Sequence, residues 1–93
     1  MNKKPPSRFG AALRSECKKR NITQYRLAQL TGRSTRYLNN IEHDRSEPRF
    51  TTILLFAKAL DMNPGELVNA AAVLSWAELE KDLEQQEQQT KDK

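Results

Sequence analysis

Arg36 and Asn40 stand four positions apart, flanked by Thr35, Tyr37 and Asn39, in a segment whose apolar residues are Leu38 and Ile41. On a helix, residues three or four apart share a face, so Leu38 and Ile41 turn inward together while Arg36 and Asn40 turn outward. A guanidinium can donate two parallel hydrogen bonds to guanine, a carboxamide can pair with adenine, and Thr35 or Tyr37 can touch a thymine methyl. One good bidentate pair supplies about 1–3 kcal/mol of discrimination between bases. Thr35, Arg36, Tyr37, Asn39 and Asn40 are therefore candidate readers of base edges in the major groove of double-stranded DNA. Rival chemistry is poorly supplied: the sequence offers no nucleophile with a matched base, no paired-carboxylate cleft and no set of metal ligands, so neither an enzyme nor a cofactor is expected.

Presenting such a face takes a helix held from behind, and the sequence around it supplies the parts. Ser34 is an N-cap for a helix running to about Glu42, and Thr23 is an N-cap for a shorter helix over Gln24 to Leu30. Gly32 supplies the tight turn between them. Counting Gln24 as the first position, Ala28 is fifth, Gly32 ninth, Leu38 fifteenth and Ile41 eighteenth. A small residue at Ala28 lets the two helices cross closely, and Leu38 with Ile41 fastens the second to the body. Upstream, Phe9, Ala12, Leu13 and Cys17 follow the helical period after Ser7, an expected N-cap, with Lys18, Lys19 and Arg20 in the last turn. Downstream, Ile53, Leu54, Phe56, Ala57 and Leu60 mark a fourth helix. Asn63 and Pro64 then cap and open a fifth. The later apolar positions Leu67, Val68, Ala71, Ala72, Leu74, Trp76, Leu79 and Leu83 fit either one long helix or two joined near Ser75. With no strand alternation, the fold class is all-α.

These residues resemble the phage repressor and Cro-like helix-turn-helix family, also called the XRE family. The likeness is carried by Thr23-Gln24-Tyr25-Arg26-Leu27-Ala28, Thr31-Gly32-Arg33-Ser34, Leu38-Asn39-Asn40-Ile41-Glu42, Pro48, Leu55-Phe56-Ala57-Lys58-Ala59-Leu60 and Pro64-Gly65-Glu66-Leu67. It spans roughly residues 8 to 68 and implies a compact five-helix, lambda-repressor-like domain with a further C-terminal helical extension. The family places the glutamine that opens the second helix against the DNA backbone, a role that falls here to Gln24 with Thr23 assisting. Unpaired N–H groups at a helix start favour a phosphate there. By motif position Arg33, Ser34, His43, Arg45 and Arg49 are further candidate backbone contacts, and Arg26 is a possible addition. Two departures stand out. Where the family often has an arginine that pairs with the glutamate ending the third helix, this chain has Cys17, so Glu42 must find another partner, with Lys18, Lys19, Arg14 and Arg45 as candidates, or stay near water. Asp44 replaces a common glycine at a position needing positive φ, which aspartate tolerates better than most residues.

Charge agrees with a polyanionic partner. Residues 1–49 carry 12 Lys/Arg against 4 Asp/Glu, residues 50–93 carry 4 against 8, and the sequence pI is about 9.5. Cations near phosphates release condensed counterions on binding. At 93 residues, with 37% hydrophobic and 30% charged, the chain fits one domain with a modest core. A single cysteine excludes an intrachain disulfide, and its place on the apolar stripe reads as a core thiol rather than a redox sensor. The longest apolar runs, 53–57 and 70–74, are far short of a membrane span, and the polar start with two prolines is unlike a signal peptide. A cytoplasmic location without membrane contact is expected.

The expected division is a flexible basic arm over 1–6, the helix-turn-helix domain over 7–69, a helical extension over 70–84 and a disordered polar tail over 85–93. One half-site gives little specificity, so the resemblance implies a homodimer on a palindromic operator with half-sites about one helical turn apart. Val73, Trp76, Leu79 and Leu83 are the candidate dimer interface, although the same seam could fold back on its own core. The leading function is a transcriptional repressor. The alternative is an antitoxin that binds DNA and neutralises a protein partner through residues 70–93, and an anti-repressor is another possible protein partner.

Overall fold

The computed structural model describes residues 7–91, with side chains described through residue 87. The described residues form five helices and no strand: α1 (Phe9–Lys19), α2 (Gln24–Thr31), α3 (Thr35–Glu42), α4 (Phe50–Ala59) and α5 (Pro64–Lys91). The all-α, five-helix expectation therefore holds. The expected arm, residues 1–6, lies outside the described residues.

One apolar cluster joins all five helices. Phe9, Leu13 and Cys17 of α1 meet Leu27 and Ala28 of α2, Leu38 and Ile41 of α3, Phe56 and Ala57 of α4, and Leu67 and Ala71 of α5. The Phe9 and Phe56 rings stack with centroids 6.0 Å apart. Fully burying an aliphatic or phenylalanine side chain of this kind is worth about 1.5–3 kcal/mol, which fixes the helices without a disulfide.

Three helices end in the same way, and none of the three uses glycine. Asn21, Asp44 and Asp61 take left-handed φ of 56°, 55° and 56° just past α1, α3 and α4. At each stop the next residue's N–H reaches back five residues: Ile22 to the Cys17 carbonyl at 2.9 Å, Arg45 to Asn40 at 2.9 Å and Met62 to Ala57 at 2.9 Å. These paired bonds satisfy carbonyls that the helix itself leaves open. Glycine serves only after α2, where Gly32 has φ 67°.

The start of α1 is satisfied from outside the helix. Ser7 does not occupy the N-cap position as expected; that place belongs to Arg8, and Ser7 Oγ accepts from the Phe9 N–H at 3.1 Å. The Gly10 N–H donates to Asp44 Oδ1 at 2.7 Å, and the Arg8 N–H donates to Ser75 Oγ at 2.7 Å. Asp44 Oδ2 also lies 3.5 Å from Arg8 Nε. A Cβ on Gly10 would collide with the Ile41 carbonyl and stand 2.8 Å from Asp44 Oδ1, so only glycine allows α1 to meet the end of α3 this closely. At the other end of α1, Arg20 Nε donates to the Leu60 carbonyl at 3.0 Å and ties α1 to the end of α4.

Helix α5 is continuous, which decides between one helix and two. It opens on a reciprocal cap: the Gly65 N–H donates to Asn63 Oδ1 at 2.8 Å and the Asn63 N–H to Glu66 Oε1 at 3.2 Å. Ser75 causes no break, because its hydroxyl donates to the Ala71 carbonyl at 2.6 Å while accepting from Arg8. Helical backbone continues to Lys91, into the stretch assigned to the polar tail. Glu, Gln and Lys are good helix formers, so extension from a packed base needs no apolar face. At 1.5 Å per residue its 28 residues span about 42 Å, in a molecule whose longest dimension is 50 Å.

Candidate nucleic-acid interface

Helices α2 and α3 form the crossed pair that the sequence leads one to expect. Thr23 Oγ1 accepts from the Arg26 N–H and Ser34 Oγ from the Tyr37 N–H, each at 3.0 Å. Ala28 is buried at the crossing, and Thr31 Oγ1 donates to the Leu27 carbonyl at 2.8 Å as the helix closes. Leu38 and Ile41 are wholly excluded from solvent. On a 3.6-residue period, Arg36 and Asn40 lie opposite that buried pair. Arg36 and Thr35 are exposed, Asn39 and Asn40 are half-buried, and Tyr37 packs partly against the core. Thus α3 brings Thr35, Arg36, Asn39 and Asn40 onto its outward side, and Tyr37 sits at the edge of that side.

The residues assigned to the DNA backbone divide into two groups. At the helix starts, Thr23 and Ser34 spend their side-chain oxygens on capping, and Arg33, between the two helices, is half-buried. In the loop after α3, His43, Arg45 and Arg49 are all exposed. His43 Nδ1 lies 2.9 Å from the Asn39 carbonyl. A carbonyl only accepts, so Nδ1 carries the proton and Nε2 faces away from this bond. Arg45 Nε donates to Asn40 Oδ1 at 3.0 Å, linking a residue assigned to the backbone with one assigned to the bases. Arg49 is the N-cap residue of α4 but makes no side-chain cap bond. Arg26 reaches Gln29 Oε1 at 3.4 Å along α2.

Glu42 corrects the sequence reading. It is 7% exposed, and its partner is none of the four cations considered: Gln24 Nε2 donates to Glu42 Oε1 at 3.1 Å. Lys19 is taken by Glu16 and Arg45 by Asn40, while Arg14 and Lys18 stay on the exposed side of α1. Gln24 therefore ties the start of α2 to the end of α3. Glu16 is the buried carboxylate that does have cations. Burial pushes its pKa up, but the Arg20 and Lys19 hydrogen bonds and charges outweigh this and hold it below the usual value. Cys17 is buried, as expected for a core thiol. Desolvation, with the Glu42 charge adding to it, pushes its pKa up to about 11.

Sequence reasoning missed Gly10, Ser75 and Arg20. Each acts across a long chain separation, and no local pattern announces it. Among the described residues no group of His, Cys, Asp and Glu is placed to hold a metal ion, and no helix is long and apolar enough to cross a membrane.

On α5, the expected interface residues are not all alike. Val73 is 68%, Trp76 61% and Leu83 68% exposed. Leu79 is half-buried and, with Ala72, Val68, Ile53, Phe9 and Pro48, lines an apolar groove between α5, the start of α1 and the start of α4.

Two capped helices crossing at a small residue, one fastened by its inner face and polar on its outer face, define a helix-turn-helix DNA-binding protein. Residues 12–72 match the model of the Cro/C1-type HTH DNA-binding domain, and the chain belongs to that family. Solved relatives agree. The restriction-modification controller protein C.AhdI from Aeromonas hydrophila is 33% identical, with a TM-score of 0.62 over 64% of this chain and 91% of that one. The clp gene regulator ClgR from C. glutamicum is 28% identical in one crystal structure, with a TM-score of 0.68 over 72% of this chain and 87% of that one. A second ClgR structure, 26% identical, extends the match to 89% of this chain and 92% of that one at a TM-score of 0.72. No curated protein sequence matches the chain. The chain is thus a DNA-binding transcription regulator of the XRE type.

Proposed function

We propose that this regulator is a homodimeric repressor that lays α3 in the major groove of a palindromic operator and blocks transcription by occupying it. The observation that carries the reading is the opposition on α3: Leu38 and Ile41 are sealed in the core while Arg36 and Asn40 occupy the far side. Arg36 and Asn40 read bases, with Thr35, Tyr37 and Asn39 at the margins. Gln24, Thr23, Arg33, Ser34, His43, Arg45 and Arg49 lie along the backbone side. Val73, Trp76 and Leu83 support the dimer, because a run of large apolar side chains left in water on one helix is an association surface. The relatives named above are a controller protein and a gene regulator, which supports a regulatory role.

Selection from a random duplex library tests this directly. The full chain is expected to bind the selected duplex at least about 10³-fold more tightly than random sequence at physiological salt. Equal affinity for both removes the reading. Arg36→Ala relaxes preference at one base pair per half-site while the melting temperature stays the same. In sedimentation equilibrium the wild type runs as a dimer and Trp76→Ala shifts toward monomer; a wild-type monomer on and off DNA removes the dimer.

A further inference from the structure

Arg45 is tied to Asn40 twice. Its backbone N–H donates to the Asn40 carbonyl at 2.9 Å as part of the left-handed stop after α3, and its Nε donates to Asn40 Oδ1 at 3.0 Å. The stop itself is anchored, since the Asp44 carboxylate accepts from the Gly10 N–H at 2.7 Å and lies 3.5 Å from Arg8 Nε. Arg45 is therefore delivered to Asn40 by a loop fixed to α1.

A guanidinium has only donors, so the Asn40 atom facing Arg45 must be the carbonyl oxygen. The Asn40 side chain then turns its NH2 group away from the loop. Adenine recognition requires the opposite presentation, with the amide oxygen and NH2 side by side to meet adenine N6 and N7. An amide whose oxygen is drawn toward Arg45 leads with its NH2 donors and keeps only the oxygen's second lone pair, turned toward the loop with it. Guanine, with acceptors at both O6 and N7, is the base that matches it in the major groove.

Resting on the reading that α3 enters the major groove, we propose that Arg45 is a specificity-determining residue: by holding the Asn40 carbonyl it makes Asn40 a reader of guanine rather than adenine. Arg45 does so as a positioning residue. Its remaining guanidinium N–H groups stay on the loop side, where a phosphate completes the arrangement.

The test is library selection with the full chain in four forms: wild type, Arg45→Ala, Asn40→Ala and Arg36→Ala. Arg45 and the Asn40 side chain lie outside the core, and unchanged melting temperatures check that each variant folds. The expected wild-type profile has guanine favoured over adenine roughly tenfold at one base pair per half-site, a preference that Asn40→Ala erases. Arg45→Ala frees the amide and moves that same pair from guanine to adenine, leaving the Arg36-dependent pair as it was. If Arg45→Ala weakens all sequences alike with an unchanged profile, Arg45 is a phosphate contact only and the proposal is overturned. Wild-type selection of adenine at the Asn40-dependent pair overturns it equally. Failure of the underlying reading looks different: no sequence is enriched, or the enriched one is indifferent to both Arg36→Ala and Asn40→Ala.

Discussion

Leu38 touches no solvent and stands on the same helix as the residues proposed to read DNA, so one α-helix carries a stability role on one side and the proposed recognition role on the other. Truncating it leaves a cavity under α3. Leu38→Ala is expected to cost about 2–5 kcal/mol in denaturant unfolding, whereas Arg36→Ala, exposed on the other side, changes stability little. An unchanged midpoint for Leu38→Ala would place the side chain outside the core. Cys17 has a chemical signature of the same burial. With its pKa pushed up to about 11 by desolvation and by Glu42, the thiol stays protonated at neutral pH. A disulfide-forming thiol reagent at pH 7.5 is therefore expected to label the native protein only as fast as it unfolds, and to label it at once in denaturant.

Among the elements, α1 is held at both ends by groups from elsewhere, and its last turn contains the acid-sensitive point. Glu16, with Arg20 and Lys19 beside it, has a folded pKa below its ordinary value of 4.5. A depressed carboxyl pKa stabilises the fold above the unfolded value, and that stabilisation is lost as pH falls through the folded value. The melting temperature is accordingly expected to drop on acidification below about pH 4.5, less steeply in Glu16→Gln. Identical acid limbs for the two proteins would show that Glu16 is not the group responsible. The α2–α3 pair was legible in the sequence because its signals are local: Thr23 and Ser34 are three residues from the N–H groups they cap, and Gly32 sits where the chain must reverse. The stops at Asn21, Asp44 and Asp61 were harder to read, since asparagine and aspartate are as common in plain loops. Of the three, only Asp44 could be anticipated, from the family position it shares with glycine. Positions of the candidate site were readable, but their mutual bonds were not. Gln24 meets Glu42, and Arg45 meets Asn40, through side-chain reach that depends on how the helices cross.

At the scale of the molecule, charge and length are unevenly distributed. The basic half contains α1 to α3 and the following loop, and the acidic half contains α4 and α5. Each phosphate neutralised contributes about −0.9 to the slope of log affinity against log salt, so operator binding should weaken steeply with salt, and Arg49→Ala should flatten that slope by about one unit per protomer while affecting every sequence alike. A slope unaltered by Arg49→Ala would remove it from the backbone contacts. The left-handed helix stops have one more consequence, for engineering the protein's heat tolerance. Asn21 and Asp61 are exposed and accept a backbone twist that glycine adopts freely, so Asn21→Gly and Asp61→Gly should each raise the melting temperature by about 2–4 °C. Asp44→Gly should lower it instead, because the carboxylate removed there also caps α1, which leaves two of three look-alike positions open to improvement and the third closed.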